Sequence, residues 1–320
     1  MNEDNNLQHW LEMLRSPDIN DRIVAVKTLQ HLGDEETIDA LIIALKDEHI
    51  TVQKIAISAL WEIANPVAIP ALIECLSSSD TDIRTEAASA LSELITQDEL
   101  LLLLDKLQSN DVNIQLNILM LLRKIHDIQC LPYVLPFLES KNPELREAAV
   151  TTLRYINQLE KCPHALNLIF DPEASVRRAA ALTLEHLQDA EVITILCQAL
   201  TNDNDWQVRR NAAKSLAIHE NHQAISALET ALNDEHWQVR KSTAQALQKI
   251  PHIQVMPRLI QALTDEYADV RKEAVIALGN LAHPDAINPL QQALDDPDRE
   301  VSIQAQRAIQ KIQVDKNSLP

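Results

Sequence analysis

The chain has 320 residues, 46% of them hydrophobic, with 3% aromatic residues and only 2 glycines, too few of either for a turn-rich β-sandwich or barrel. Its formal charge of −19, from 28 Lys and Arg against 47 Asp and Glu, excludes a general nucleic-acid coat, which needs net positive surface. The apolar content is too high for a disordered acidic chain.

The opening residues Met1 to Asn6 are polar and acidic, without the basic segment and apolar run of a secretory signal. The longest uninterrupted apolar run, Ala40 to Leu45, is far below the ~20 residues that span a bilayer. Cys75, Cys130, Cys162 and Cys197 lie at least 32 residues apart, with no CxxC pair, and read as small buried side chains in a reduced protein. The expected location is cytoplasmic, with no membrane association.

From about Leu7 the chain repeats itself. Trp206-Gln-Val-Arg209, Trp237-Gln-Val-Arg240 and Ala268-Asp-Val-Arg271 fall in register. The residue before that Arg forms an anchor column: Asp21, Val52, Ile83, Ile114, Leu145, Val176, Val208, Val239, Val270 and Val301, spaced by 31 residues with one 32 between Val176 and Val208. Four residues on stand mostly small side chains (Ala25, Ala56, Ala87, Ile118 and onward to Ala305), and eight on stand larger aliphatic ones (Leu29, Leu60, Leu91 and onward to Ile309). That spacing is one face of an α-helix. It predicts a helix B from each anchor to eleven residues beyond: 21–32, 52–63, 83–94, 114–125, 145–156, 176–187, 208–219, 239–250, 270–281 and 301–312.

A second helical pattern, helix A, precedes each anchor, as in Ile38 to Leu45 and Ile69 to Leu76. Pro70, Pro132, Pro257 and Pro289 sit in its early turns, where a missing N–H costs least. Asp or Ser stands five residues before every anchor, from Ser16 and Asp47 to Asp265 and Asp296, and marks the A-to-B turn. A two-helix unit cannot bury its apolar face alone, so ten of them are expected to stack as an all-α solenoid. The expected arrangement is a single α-α superhelix over 1–320, with repeats at about 7–312 and a short polar tail at 313–320.

The unit D-x-x-x-x-V-R-x-x-A-x-x-A-L, as in Asp265 to Leu278, resembles the short bacterial HEAT-like repeat of the phycobilisome-lyase type. The resemblance covers nearly the whole chain. It implies that the Arg after the anchor and the turn Asp form a ladder between neighbouring units, as for Arg209, Arg240 and Arg271; Gln53, Gln115 and Ser302 depart from that pattern. It also implies that the B helices line a concave side. Of the glycines common at the family's B-helix ends, the chain keeps only Gly33 and Gly279.

Charge follows the register. The helix B spans carry 20 of the 28 basic residues and only 7 of the 47 acidic ones. Positions two, six, nine and ten after the anchor share one outward face. That face carries Arg123, Arg154, Arg178, Arg210, Lys214, Lys241 and Lys272, together with the aromatic Trp61 and Tyr155. Two readings stand: an ordinary solvated face offsetting acidic A helices, or a basic groove for an anionic ligand. The ligand would be a protein partner with an acidic segment, a bilin held by its propionates, or, less favoured, nucleic acid. Trp206 and Trp237 share one offset in adjacent units and are expected to neighbour each other along one edge, either as packing or as a binding edge.

Nothing in the sequence signals catalysis. Deoxyhypusine hydroxylases, which are HEAT-like, place His-Glu pairs just after the anchor Arg; here those positions read Lys54-Ile55, Arg178-Ala179, Arg210-Asn211 and Lys241-Ser242, among others, with no His. His219 and His222 could share a helix face with a metal, but the B-to-A turn, where His126, His252 and His283 also cluster, reads better as a polar helix end. No phosphate loop, dinucleotide fingerprint or nucleophile elbow is present. The expectation is a non-catalytic binding scaffold or adaptor without cofactor or metal. A bilin-lyase-like chromophore chaperone is the alternative.

Overall fold

The computed structural model describes residues 3–33 and 35–317. They are helical throughout, with no strand among the described residues, and they form ten A–B pairs. The chain divides into two compact units, Met1–Asn157 and Gln158–Pro320. Each holds five repeats.

The predicted columns form the core of both units. The anchor residues are buried from Val52 to Val301; in the first repeat Asp21 is exposed at that position. Every residue of the small column, from Ala25 to Ala305, is fully buried, which lets one helix B lie close on the next. The Leu column is buried from Leu29 to Leu278, each side chain contributing roughly 1.5–3 kcal/mol. Only Ile309 is partly open.

Helix B begins two residues earlier than the periodicity predicts, as in Ile50–Ile63, Trp206–His219 and Ala268–Leu281. The reason is the cap. The residue three before the anchor takes an extended conformation, and its side chain accepts from the next helix's first N–H groups: Asp80 from Asp82 and Ile83, Asp111 from Asn113 and Ile114, Asp205 from Gln207 and Val208. The Asp five before the anchor sits one step back and accepts from the cap's own N–H, as Asp234 does from His236 at 2.8 Å. Helix A is a short segment behind a 3-10 turn, for example Pro66–Ala68 leading into Ile69–Cys75 with Pro70 near its start.

The last helix, Arg299–Asn317, continues past the expected stop near Ile312, so 313–317 are helical; 318–320 of the expected tail and Met1-Asn2 lie outside the described residues. Gly33 ends a helix B in the left-handed conformation, as the family pattern implies. Gly279 does not: it lies inside Ala268–Leu281, and a Cβ there would stand 2.8 Å from Ala308 Cβ. Other B helices end on Ala64, His126, Glu220 and Ala282, all at positive φ.

Candidate functional site

Two ladders of ion pairs join the repeats. In the first, the Arg after the anchor reaches the turn Asp of the following repeat with both arms: Arg22 to Asp47, Arg177 to Asp203, Arg209 to Asp234, Arg240 to Asp265 and Arg271 to Asp296, with Nε–Oδ2 distances of 2.6–2.8 Å. The same guanidinium donates from Nη1 to a carbonyl of its own turn, such as Arg240 to Asp234 at 2.8 Å. Where Gln replaces Arg, this second bond survives: Gln53 donates to Asp47 O and Gln115 to Ser109 O. The charged rung is absent there because the next repeat offers Ser78 or Ser140 in place of Asp.

The second ladder lies on the outward face of helix B. Lys54 pairs with Asp82 at 3.3 Å and Glu86 at 2.9 Å, and Lys241 pairs with Asp269 at 3.0 Å. Arg178 grips Asp205 with Nε at 3.0 Å and with a second arm. Asp82, Asp205 and Asp269 stand one or three residues before the next anchor, just outside the helix B spans that the periodicity predicts. Part of the charge segregation is therefore ion pairing across a repeat boundary: of the cations expected to line a basic groove, Arg178 and Lys241 are held by acids of the next repeat, and Lys272 lies 3.5 Å from Asp269 of its own helix. The Arg178 and Lys241 contacts hold Asp205 and Asp269 below the usual carboxylate range.

The remaining predicted site residues fall into two groups. In the second unit, Arg210 lies over the Trp206 ring, 5.3 Å from its centroid, and donates to Asn211 Oδ1. Lys214 is exposed on the same helix. Trp206 and Trp237, expected along one edge as packing or as a binding edge, each take part in a stack between repeats. Each occupies the first turn of its helix B and stacks on the cap residue of the following repeat: Trp206 on His236 at 5.4 Å and Trp237 on Tyr267 at 5.1 Å. These stacks account for both indoles as packing between repeats.

In the first unit, Trp61 is 49% exposed and Tyr155 40%. Trp61 overhangs a cleft of about 420 Å³ lined also by Gln30, Lys54, Ile55, Ser58, Glu86 and Ser89. The small side chains Ser58, Ser89 and Ala90 leave the space that the indole edges. Arg123, two repeats on at the same offset as Trp61, is half-buried and has no carboxylate within ion-pair distance among the described residues. Its guanidinium makes only long contacts, Nε to Thr152 Oγ1 at 3.5 Å and Nη2 to Ala148 O at 3.3 Å. Burial pushes its pKa below the usual Arg value, against the pull of Tyr155 and Glu147. Tyr155 is held beside it: His126 Nδ1 hydrogen-bonds the Tyr155 carbonyl at 2.8 Å, and the two rings stand 6.2 Å apart. Arg154 precedes it, half-buried at the end of helix B.

Sequence reasoning missed the cleft and the second ladder. The acids before each anchor, read against the cations of the preceding repeat, would have revealed the ladder. His219 closes its helix with Nε2 against Leu184 O at 2.9 Å, and His222 faces His252 at 6.0 Å. Among the described residues, no three His, Cys, Asp or Glu side chains are placed to hold a metal ion, and no helix is long and apolar enough to cross a membrane.

The HEAT-repeat description matches residues 7–92, 162–248 and 256–320, most of the chain. The chain belongs to the HEAT-repeat family. No curated protein matches this HEAT-repeat chain in sequence. Among solved structures, an engineered protein is 23% identical over 96% of this chain and 98% of its own, with a TM-score of 0.54. YibA of Escherichia coli is 20% identical over 80% of this chain and 96% of its own, with a TM-score of 0.62. Kap95p, the yeast importin-β, solved with RanGDP, is 16% identical with a TM-score of 0.65 over 98% of this chain and 50% of its own. The HEAT-repeat chain thus spans about half the length of that importin-β. These likenesses establish a HEAT-type α-solenoid fold.

Proposed function

We propose that this HEAT-repeat protein is a non-catalytic scaffold that binds a protein partner along the outward face of its B helices. The observation that carries the reading is the face of the first unit, where exposed Trp61, Met120 and Tyr155 accompany Arg123, a half-buried cation without a carboxylate partner. Exposed aromatic and Met side chains with a desolvated Arg are the composition of a protein-binding hot spot. Importin-β, which shares the fold, is itself seen with the protein partners Ran and Nup1. The bilin alternative is less favoured: two of the cations available to its propionates, Arg178 and Lys241, are committed to Asp205 and Asp269.

The test is affinity purification of the full chain followed by crosslinking mass spectrometry of whatever protein co-purifies in fixed stoichiometry. Crosslinks from Lys27, Lys54 or Lys124, on the B-helix side, support the reading. Crosslinks confined to Lys46, Lys106 and Lys141, on helix A and its turns, would overturn it, as would a chain that remains alone.

A further inference from the structure

Two features of the first unit's B-helix face are chemically unlike and share one row. Trp61 and Arg123 both stand nine residues after their anchors, in the second and fourth repeats. At a helix spacing of ~8–10 Å they lie about 16–20 Å apart. Trp61 edges a cleft lined by Ile55, Ala90, Ser58 and Ser89, large enough for one aliphatic or aromatic side chain. Lys54, the only cation in its wall, is already held by Asp82 and Glu86, so the cleft has no net attraction for an anion. Its occupant is apolar.

Arg123 presents the opposite case. The guanidinium has five N–H donors, and in this protein only two meet an acceptor, both at long distance. Among the described residues no carboxylate lies within ion-pair distance of this half-buried Arg; Glu147 attracts it only from further off, and the Ala148 carbonyl takes one N–H at 3.3 Å. Leaving such a fork partly desolvated and unpaired costs free energy that an incoming carboxylate recovers through a two-armed bond. Tyr155 stands beside it with an exposed ring. One turn before Arg123 on the same helix, the exposed Met120 offers an adaptable apolar surface.

Resting on the binding reading above, we propose that the first unit recognises an extended segment of a protein partner through two anchors, an apolar side chain in the Trp61 cleft and a carboxylate on Arg123. An extended strand advances ~3.3 Å per residue, so the two anchors are about five or six residues apart in the partner.

Display of random twelve-residue peptides on the purified full chain tests this. The expected consensus pairs Leu, Phe or Trp with Asp or Glu at that separation. A synthetic consensus peptide should then bind at least ten-fold more weakly to Trp61→Ala and to Arg123→Gln, with intact helicity, and should be weakened less by Arg123→Lys, which keeps the charge without the fork. Lys249→Gln, in the other unit, should bind as the wild type. A selection that enriches nothing, a consensus without a carboxylate, or a peptide indifferent to Arg123→Gln overturns the two-anchor site. A natural partner that crosslinks elsewhere on the B helices and is unaffected by both variants would do the same while leaving the scaffold reading in place.

Discussion

Arg178 donates from Nε to Asp205 Oδ1 at 3.0 Å, across the boundary between two repeats, so a cation on the open face of one helix B is held by the cap of the next. Its neighbour Arg177 reaches Asp203 in the same turn. Adjacent side chains on one helix thus take two carboxylates two residues apart, one at the edge of the core and one nearer solvent.

The two ladders should differ in energetic weight. Arg240 and Asp265 are nearly buried, with side chains 15% and 9% exposed, and bond at two points. Arg240→Gln strands a desolvated carboxylate and should cost about 1–3 kcal/mol. Lys241 and Asp269 form a single contact in solvent, and Lys241→Gln should cost less than about 1 kcal/mol. Urea unfolding of the two variants, with hydrogen exchange to localise the change to the eighth and ninth repeats, measures the difference.

Acid should act through the same carboxylates. The bond from Arg271 holds Asp296 below the usual carboxylate range. A carboxylate so depressed contributes stability that is complete above the unfolded value of about 4 and is lost as pH falls through the lower, folded value. The stability of the wild type should therefore be level near neutrality and decline below about pH 4. Asp296→Asn should be less stable at pH 7 and should converge on the wild type in acid. Parallel curves for the two proteins down to pH 2 would contradict this origin.

The columns of the repeat were readable because each is local: Ala25 and Leu29 or Ala274 and Leu278 declare a helix face within one turn or two. The rungs from Arg209, Arg240 and Arg271 followed from family resemblance. What the sequence hid lies between repeats. Lys241 and Asp269 are 28 residues apart, and nothing in either repeat alone says that they meet. The indole of Trp237 finds Tyr267 because the cap of one helix B falls beside the first turn of the one before it. The Trp61 cleft depends on the gap left by Ser58 and Ser89 from successive helices, and a single-helix pattern carries no such information.

The thiols should be slow. Burial pushes Cys75, Cys130 and Cys197 up to about 11 and raises Cys162 as well. Cys130 and Cys162 are buried, while Cys75 and Cys197 are half-open. A thiol that far above its ordinary value is almost entirely protonated at pH 8, and only the thiolate reacts. A disulfide reagent at pH 8 should modify the native chain at least ~10-fold more slowly than the unfolded chain, with Cys130 and Cys162 last. Rapid modification of all four thiols in the native protein would refute the burial argument.

Helix ends offer a route to stabilisation. Ala64 and Ala282 close their B helices at φ of 55° and 54°, a left-handed conformation in which a Cβ is strained. Glycine adopts it freely but adds entropy to the unfolded chain. Relief of the strain outweighs that entropy, so Ala64→Gly and Ala282→Gly should each raise stability by about 0.5–1 kcal/mol. A rise in the midpoint of thermal unfolding for the double variant checks this.

Gly279 presents the reverse case. It is helical, and glycine in a helix interior ordinarily costs about 1 kcal/mol relative to alanine. Here a Cβ would stand 2.8 Å from Ala308 Cβ and 3.1 Å from Ala308 Cα, atoms of the next helix B that cannot swing aside. Overpacking of that kind costs about 1–3 kcal/mol and outweighs the gain in helix propensity. Gly279→Ala should therefore destabilise the protein, while Gly279→Ala with Ala308→Gly should recover most of the loss, because the second change removes the atom the first collides with. If Gly279→Ala alone proves stabilising, close approach of the last two B helices is not what keeps glycine at this position.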